Sequence, residues 1–256
     1  MDHDEQSPDR LINQDFVDDV ILENARWNFT HGAASGFMGF GILYYALVYS
    51  TRARVVVCLG SGDGFVPRIF RQAQRDLGDG FVGRTILVDG NVPEKGFGAP
   101  DYLAEDSFFR TRFPDVEMWI RPTEEAAQIL AKDGIEIDLL HIDADHTIEG
   151  VMADYRNFRP LLSDRFVITM HDTRFSPGVV AALEQIRATE DVDLIDFNHL
   201  GYGLAVLKPR VPNGDVASVR MKAGAFLRHP KPHLSARMPR WLQRLRSWLS
   251  RQEQAR

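Results

Sequence analysis

The most reactive residue types cluster at two points in the second half of the chain. The segment Leu139–His146 reads LLHIDADH, so that Asp143, Asp145 and His146 follow directly after an apolar run. A second apolar run ends in the segment His171–Thr173, which reads HDT. Carboxylate oxygens are the ligands that a hard divalent cation such as Mg²⁺ prefers, whereas imidazole binds Mg²⁺ weakly and favours softer metals. If the two segments meet in the fold, they predict a site for Mg²⁺ or another divalent cation.

A glycine-rich turn earlier in the chain is a candidate for nucleotide binding. The apolar run VVVCL leads into a G-x-G-x-G loop that contains Gly60, Ser61 and Gly62. Phe65 stands where the dinucleotide fingerprint has its third glycine, and the lysine of a P-loop is absent. Asp89 ends the next apolar run, where an acid reaches the ribose hydroxyls of a nucleoside bound over the first loop. Each feature alone is explained by an ordinary turn, but together they predict a nucleoside-containing cofactor.

A third strand-like run is followed by the sequence RPTE, which ends in Thr123 and Glu124. A threonine at the start of a helical pattern is a typical N-cap residue. In the predicted arrangement it also lies where the adenine ring of a cofactor would bind. Both roles stay open on the sequence.

Short β-type runs alternate with helical patterns from residue 54 onward, and these elements must position the reactive residues. Helical patterns cover about 65–77, 123–133, 147–162 and 177–189, which predicts parallel strands with helices on both faces. Only the loop His199–Tyr202 separates the last two runs, which predicts an antiparallel hairpin. We therefore predict an α/β fold, a doubly wound, Rossmann-like, seven-stranded and mostly parallel sheet with a terminal antiparallel hairpin. The predicted strands are Arg54–Leu59, Arg84–Val88, Val116–Ile120, Ile137–Ile142, Arg165–Met170, Val192–Phe197 and Gly203–Leu207.

Residues 50–210 resemble a class I S-adenosylmethionine-dependent methyltransferase. Within that class, LLHIDADHTIEGVMADYRNFRPLL and VITMHDT resemble the metal-dependent O-methyltransferases related to macrocin, mycinamicin and rhamnosyl O-methyltransferases, and the cephalosporin-hydroxylase-like group. The resemblance implies methyl transfer to a sugar hydroxyl of a glycan, a polysaccharide precursor or a glycosylated metabolite. A mycobacterial-type methylmannose polysaccharide methyltransferase falls within this range. The chain departs from the pattern at Ser163–Arg165, where many relatives carry a glycine pair.

The resemblance also implies which residues contact S-adenosylmethionine. The glycine loop would cradle its methionine part, an acid would bind its ribose, and the start of a helix would lie near its adenine. The residues at these positions are Gly60, Ser61, Gly62, Asp89, Thr123 and Glu124.

For the metal and the proton transfer, the resemblance points to four residues. Asp143 and Asp172 match the metal carboxylates, and Asp143 is thereby also placed in the catalytic centre. His171 takes a ligand position at which relatives often carry an acid. His146 matches the general base, a role that suits imidazole because its usual pKa is near neutrality.

The two ends of the chain differ in charge and predicted role. The formal net charge is −6, but residues 211–256 carry ten Lys and Arg against two acids. This asymmetry argues against a nucleic-acid enzyme with a basic face across the whole fold. We predict an N-terminal helical cap over 1–50, a cofactor-binding domain over 51–210 and a basic C-terminal tail over 211–256. An amphipathic helix at 239–252 would contact an anionic membrane surface, a partner subunit or its own domain.

The N-terminal cap is predicted to contain an amphipathic helix at Asp15–Arg26 and an apolar helix at Gly36–Ser50. The apolar stretch is too short to cross a bilayer, the first ten residues do not resemble a secretory signal, and one cysteine cannot form an intramolecular disulfide framework. We therefore expect a cytoplasmic protein. The long segment Asn91–Asp115 is a candidate lid, and His31–Tyr45 a candidate wall of the acceptor pocket.

Two other functions compete with sugar methylation. Catechol-type O-methylation of a small molecule uses similar metal acids, although His171 departs from the residues usual there. A non-catalytic partner module of the same fold is the other alternative. The resemblance further implies a homo-oligomer, most simply a homodimer.

Overall fold

All seven predicted strands form, and they build a single sheet. The computed structural model of the chain describes residues 17–23, 25, 27–60, 62–90 and 104–210. The strand order is β3-β2-β1-β4-β5-β7-β6; β1 to β5 are parallel, and β7 is antiparallel to both of its neighbours. The predicted fold class is therefore confirmed. The strands are β1 (Val55–Leu59), β2 (Arg84–Asp89), β3 (Val116–Ile120), β4 (Ile137–Ile142), β5 (Leu162–His171), β6 (Val192–Phe197) and β7 (Leu204–Pro209).

Helices cover both faces of this sheet. The four predicted helical patterns all form, and three of them end earlier than predicted. The pattern at 147–162 breaks after Phe158, because Arg159–Leu161 form a 3₁₀ turn and β5 already begins at Leu162. The helices are α1 (Gly41–Thr51), α2 (Phe65–Arg75), α3 (Phe108–Arg112), α4 (Thr123–Lys132), α5 (Ile148–Phe158) and α6 (Pro177–Thr189).

Side chains alternate between two hydrophobic cores along the central strands. In β1, Val56 and Cys58 point into one core, and Val57 and Leu59 into the other. The first core contains side chains of α1, α2 and α3, and the second those of α4, α5 and α6. This two-sided burial explains why the central strands are almost continuously apolar, since neither of their faces meets water.

The N-terminal region differs from its prediction. The predicted apolar helix begins only at Gly41; Gly36 and Gly39 have φ angles of 72° and 55°, so the chain turns before the helix starts. A Cβ on Gly39 would lie 2.3 Å from the carbonyl oxygen of His31. Of the predicted amphipathic helix at 15–26, the described part is a π-helical turn over Val17–Leu22.

Several predictions concern residues outside the described ranges. These are Ser61 in the glycine loop, residues 91–103 of the candidate lid, and the whole tail 211–256 with its helix at 239–252. Among the described helices, none has the length and apolar character needed to cross a membrane. The expectations of a homodimer and of a cytoplasmic location stay predictions.

Candidate active site

The carboxyl ends of β1, β4 and β5 lie side by side, and the predicted reactive residues follow them. Asp143 comes directly after β4, and its backbone N–H donates a 2.9 Å hydrogen bond to the carbonyl of Leu59 at the end of β1. His171 is the last residue of β5, and Asp172 follows with a φ of 62°. A non-glycine residue in this left-handed region is strained, and such strain persists where the surrounding structure enforces it, often at functional sites.

These residues form one compact group of two carboxylates and two imidazoles, which we call the acid–histidine centre (Asp143, His146, His171 and Asp172). His146 Nε2 lies 3.0 Å from Asp172 Oδ2 and 3.4 Å from Asp143 Oδ1. His171 Nδ1 lies 3.3 Å from Asp143 Oδ1 and 3.4 Å from Asp172 Oδ1. The three predicted metal ligands and the predicted base are thus in mutual contact.

The hydrogen bonds of His171 fix which of its nitrogens faces the acids. Its Nε2 lies 3.2 Å from the carbonyl oxygen of Thr30, which can only accept, so Nε2 carries the proton and donates. Its Nδ1 faces Asp143 and Asp172; burial lowers the pKa of the ring, but the two acids outweigh burial and raise it above the usual value. A metal-binding histidine is typically held in this way, by a hydrogen bond from its other nitrogen.

Burial and neighbouring charges push the pKa values of the two acids apart. Burial by itself would raise the pKa of Asp143, but the charge of His171 and hydrogen bonds from His141, His146 and His171 hold it well below its usual range. Burial raises the pKa of Asp172, and the neighbouring Asp143 raises it further, against the opposing effect of His171 and His146. Acids with such different proton affinities at one site are a common feature of catalytic centres.

His146 is the most accessible member of the centre, with 30% of its side chain exposed. The hydrogen bond with Asp143 raises its pKa above the usual value, and the charges of Asp143 and Asp172 add to the effect. An imidazole in this environment holds an accepted proton well. The two acids orient the imidazole through its Nε2, and the role of general base stays a prediction for this residue.

Two further histidines contact the centre, and neither was predicted as a catalytic residue or a metal ligand. His31 stacks on His171 with ring centroids 3.9 Å apart, and its Nδ1 lies 3.0 Å from the hydroxyl of Tyr44. His141 lies 3.6 Å from Asp143 through Nε2 and 2.8 Å from Thr169 Oγ1 through Nδ1. Burial lowers the pKa of both rings, so both are neutral near pH 7. His141 was visible within LLHIDADH, and His31 begins the segment predicted as a wall of the acceptor pocket, but nothing in the sequence placed its ring against His171.

The glycine loop lies against the centre. Gly60 follows β1 with a φ of 69°, and a Cβ at this position would stand 2.2 Å from the carbonyl oxygen of Asp143. The glycine is therefore required by its close approach to the β4 loop. A Cβ on Gly62 would lie 3.2 Å from Trp27. These contacts give a structural reason for both glycines and also place the loop one strand away from the acids.

The remaining predicted cofactor contacts lie along the same edge of the sheet. Asp89 ends β2 beside the glycine loop, and its carbonyl accepts a 3.0 Å hydrogen bond from the backbone N–H of Arg121. Thr123 is not the N-cap: Pro122 takes that place, and the Thr123 hydroxyl donates to Asp154 Oδ1 at 2.5 Å. The extended backbone before the helix puts the cap one residue earlier. Glu124 is exposed in the first turn of α4.

The donor set fits a divalent cation. Asp143, His146 and Asp172 each offer one ligand atom, and these atoms lie within 4.8 Å of one another. His31, Asp143 and His171 form a second such trio. Opposite ligands of Mg²⁺ lie about 4.2 Å apart, since each bond is about 2.1 Å. Within the described part of the chain, the buried Asp172 Oδ1 makes no hydrogen bond, which leaves it available to a cation.

Part of the chain matches a known protein family. Residues 57–173, which include most of β1, all of β4 and β5, and the acid–histidine centre, match a family model described as a methyltransferase domain. The matched segment contains the glycine loop and both strand ends on which the predicted methyltransferase rests. A curated relative, the uncharacterised protein y4gI of Sinorhizobium fredii, is 32% identical over 132 residues. That match covers 50% of this chain and 14% of the relative, so the chain spans only a small part of that protein's length.

Solved methyltransferases share the fold. An O-methyltransferase of Bacillus cereus in complex with SAH aligns with a TM-score of 0.55 and 18% identity, over 81% of this chain and 94% of that one. The SAH-bound methyltransferase PaMTH1 of Podospora anserina aligns with a TM-score of 0.55 and 14% identity, over 75% and 88%. The SAM complex of TomG, an O-methyltransferase of Streptomyces achromogenes involved in tomaymycin synthesis, gives 0.53 and 16%, over 78% and 100%.

Proposed function

We propose that this protein is an S-adenosylmethionine- and divalent-metal-dependent O-methyltransferase that acts on a sugar hydroxyl. The observation that carries the proposal is the acid–histidine centre next to the glycine loop, within a domain that matches a methyltransferase family. The glycine loop would hold the methionine part of the cofactor, and Asp89 its ribose. The glycine loop follows β1, which lies next to β4, and Asp89 ends β2 on the other side of β1.

The chemistry requires an activated oxygen and a place for its proton. A cation held by Asp143, His171 and Asp172 would lower the pKa of an acceptor hydroxyl, which in water lies far above neutrality. His146, whose Nε2 is held by the two acids, would take the proton from that hydroxyl. S-adenosylmethionine would supply the methyl group and leave as S-adenosylhomocysteine. Asp143 and Asp172 then stabilise the charged imidazole of His146.

A row of aromatic side chains beside the centre supports a ring-shaped acceptor. Trp27 and Phe29 have centroids 5.9 Å apart, Phe29 lies 6.1 Å from Tyr202, and Tyr202 stacks on Phe175 at 4.1 Å. Three of the four exposed Trp and Phe side chains in the described part of the chain belong to this aromatic row. Aromatic faces offer large, rigid contact surfaces to the apolar face of a sugar ring.

The aromatic row is connected to both halves of the site. Trp27 covers Gly62 of the cofactor loop, and its backbone N–H donates to Asp63. At the other end, the carbonyl of Thr30 accepts hydrogen bonds from both Tyr202 N–H, at 2.7 Å, and His171 Nε2. An acceptor lying on the row would therefore be close to the cofactor and to the base. Four successive rings reach further than one catechol ring, which favours a glycan with more than one sugar unit.

The decisive experiment is transfer of labelled methyl from S-adenosylmethionine to mono- and oligosaccharides and to catechols, with added divalent metal or with EDTA. We expect label on a sugar, and we expect EDTA to abolish it. Label on catechols alone would move the assignment to small-molecule catechol methylation. Cofactor binding with no transfer to any acceptor, and no change in cellular product on replacing Asp143, would point to the non-catalytic partner module.

A further inference from the structure

We propose that the centre takes a metal ion of the borderline class, such as Zn²⁺, Co²⁺, Ni²⁺ or Fe²⁺, in preference to Mg²⁺, and that His31 joins Asp143 and His171 as a ligand. The inference rests on the proposed metal-dependent function and names the class of ion that serves it. It starts from the number of imidazoles around one carboxylate.

Asp143 is surrounded by histidines. His171 and His146 lie 3.3 and 3.4 Å from its Oδ1, and His141 lies 3.6 Å from its Oδ2. His31 supplies a fourth imidazole, with a ring nitrogen within 4.8 Å of ligand atoms of Asp143 and His171. Four of the eight histidines of the chain thus converge on one acid.

The two histidines of the His31–Asp143–His171 trio are buried, and their rings stack with centroids 3.9 Å apart. Both histidines are 3% exposed. His31 Nδ1 lies 3.0 Å from the Tyr44 hydroxyl, and His171 Nε2 donates to the Thr30 carbonyl. His171 Nδ1 lies 3.3 Å from Asp143 Oδ1, a contact that a shared ion would replace, and His31 would turn its Nε2 toward that ion. Hydrogen bonds of this kind orient metal-binding histidines and set their tautomer.

Ligand chemistry then decides between classes of ion. Mg²⁺ requires oxygen ligands in a nearly ideal octahedron and loses its waters reluctantly. Imidazole nitrogen suits Zn²⁺, Fe²⁺ and Ni²⁺, and affinity for a given site of N and O ligands rises from Fe²⁺ through Co²⁺ to Ni²⁺. Two imidazoles and one carboxylate form such a site, whereas the Asp143–His146–Asp172 trio is richer in oxygen. Because both trios share Asp143, only one of them needs to hold the ion while His146 stays available as base.

The test uses the full-length chain, stripped of metal and loaded with S-adenosylhomocysteine. Calorimetric titration with Mg²⁺, Co²⁺ and Zn²⁺ should give dissociation constants at least about 100-fold lower for Co²⁺ and Zn²⁺ than for Mg²⁺. The visible absorption of bound Co²⁺ reports its ligands directly. His31→Gln should shift that spectrum and weaken Co²⁺ binding by about 10–100-fold. His199→Gln, which changes an exposed histidine on the terminal hairpin, should change neither.

A second variant covers the case in which His31→Gln fails to fold. His171→Asp exchanges a nitrogen ligand for an oxygen, so it should narrow the preference for Co²⁺ over Mg²⁺ by at least about tenfold. Mg²⁺ affinity equal to or tighter than Co²⁺ affinity in the wild-type chain would overturn the inference, as would a Co²⁺ spectrum unchanged in both variants. Methyl transfer driven by Mg²⁺ at that affinity would leave the proposed function standing. If the protein binds the cofactor but no metal, and methyl transfer resists EDTA, then neither the proposed function nor this inference involves a metal.

Discussion

Two groups of charged side chains in this protein make similar contacts but differ in burial, and burial distinguishes a candidate catalytic centre from ordinary surface ion pairs. On the terminal hairpin, Asp193 pairs with Lys208 at 2.5 Å and with Arg210 at 3.4 Å, and all three side chains are exposed. At the ends of β4 and β5, Asp143 and Asp172 contact histidines over similar distances but are buried. On the hairpin, water and salt screen the charges, and such pairs contribute little to stability.

The pKa values make the same distinction. The hydrogen bond from Lys208 lowers the pKa of Asp193, as expected for an acid beside exposed cations. In the acid–histidine centre, one carboxyl has a lowered pKa and the other a raised one, although they share the same histidines. The difference teaches that contacts alone do not identify a catalytic acid. The pKa of a carboxyl depends on whether its contacts with other side chains take the place of its contacts with water.

Removing the central acid should produce the largest effect. We expect Asp143→Ala to lower methyl transfer by more than about 100-fold, because it removes a ligand shared by both trios and a partner of His146. The matched variant Asp193→Ala on the hairpin should keep activity within about twofold. Initial rates with saturating cofactor measure both. Equal losses in the two variants would contradict the distinction between the regions.

The packing of the glycine loop against the centre can be tested with a pair of glycines. Gly60→Ala and Gly134→Ala introduce the same methyl group at φ angles of 69° and 64°, but only the first meets a backbone atom, the carbonyl of Asp143. Both variants carry the left-handed strain of about 1 kcal/mol, and Gly60→Ala should lose about 2 kcal/mol more and bind S-adenosylhomocysteine more weakly. Chemical denaturation and calorimetry measure these quantities. Equal unfolding free energies of the two variants would show that the glycine loop moves away from Asp143 without loss of stability.

A third acid sharpens the comparison, because Asp154 is buried and no cation of the described residues contributes to its pKa. Burial raises its pKa to about 6, although the hydrogen bond from Thr123 opposes the shift. Its folded-state pKa is therefore above the unfolded value of 3.8, so the folded state gains stability from protonation at low pH and loses it as the pH rises through about 4 to 6. Asp154→Asn should accordingly stabilise the protein by about 1–2 kcal/mol at pH 8 and change little below pH 4. Denaturation at both pH values checks this; a gain independent of pH would assign the effect to packing.

The smallest expected effect concerns the aromatic row, which is exposed but lies beside the buried centre. We expect Phe175→Ala to raise the KM for an oligosaccharide acceptor by about fivefold, with kcat and the KM for the cofactor unchanged, since it removes one stacking surface. Phe37→Ala is the control: Phe37 is similarly exposed, at 55% against 63%, and lies outside the row. An unchanged KM in the Phe175 variant, or an equal change in the Phe175 and Phe37 variants, would show that the aromatic row does not bind the acceptor.

The fold was predictable because its signals are local. Near-continuous apolar runs, helical spacing between them and a four-residue loop before the last strand all lie within short windows, and each corresponds to an observed element. Errors occurred where a tertiary contact overrode local preference. Gly39 starts a turn against His31, and the Thr123 hydroxyl binds Asp154 instead of capping its helix.

The candidate site was predictable in part, for a related reason. Asp143, His146, His171 and Asp172 stand out because they lie at or just after the ends of buried strands, and parallel strands bring their carboxyl ends to one edge. His31 and the aromatic row carry no such signal. Thr30 and His171, whose hydrogen bond connects the N-terminal segment to the centre, are 141 residues apart in the sequence.

The sequence by itself determined the order of strands and helices, and through it the edge of the sheet at which the acids and the glycine loop had to meet. Only the tertiary structure decided what surrounds them. It places four imidazoles around Asp143 and a row of aromatic rings beside the acid–histidine centre, and it shifts the pKa values of Asp143 and Asp172 in opposite directions. The physical reason is range. Strand and helix formation depends on neighbours along the chain, whereas desolvation and charge interactions depend on every group brought close in space, however distant in sequence.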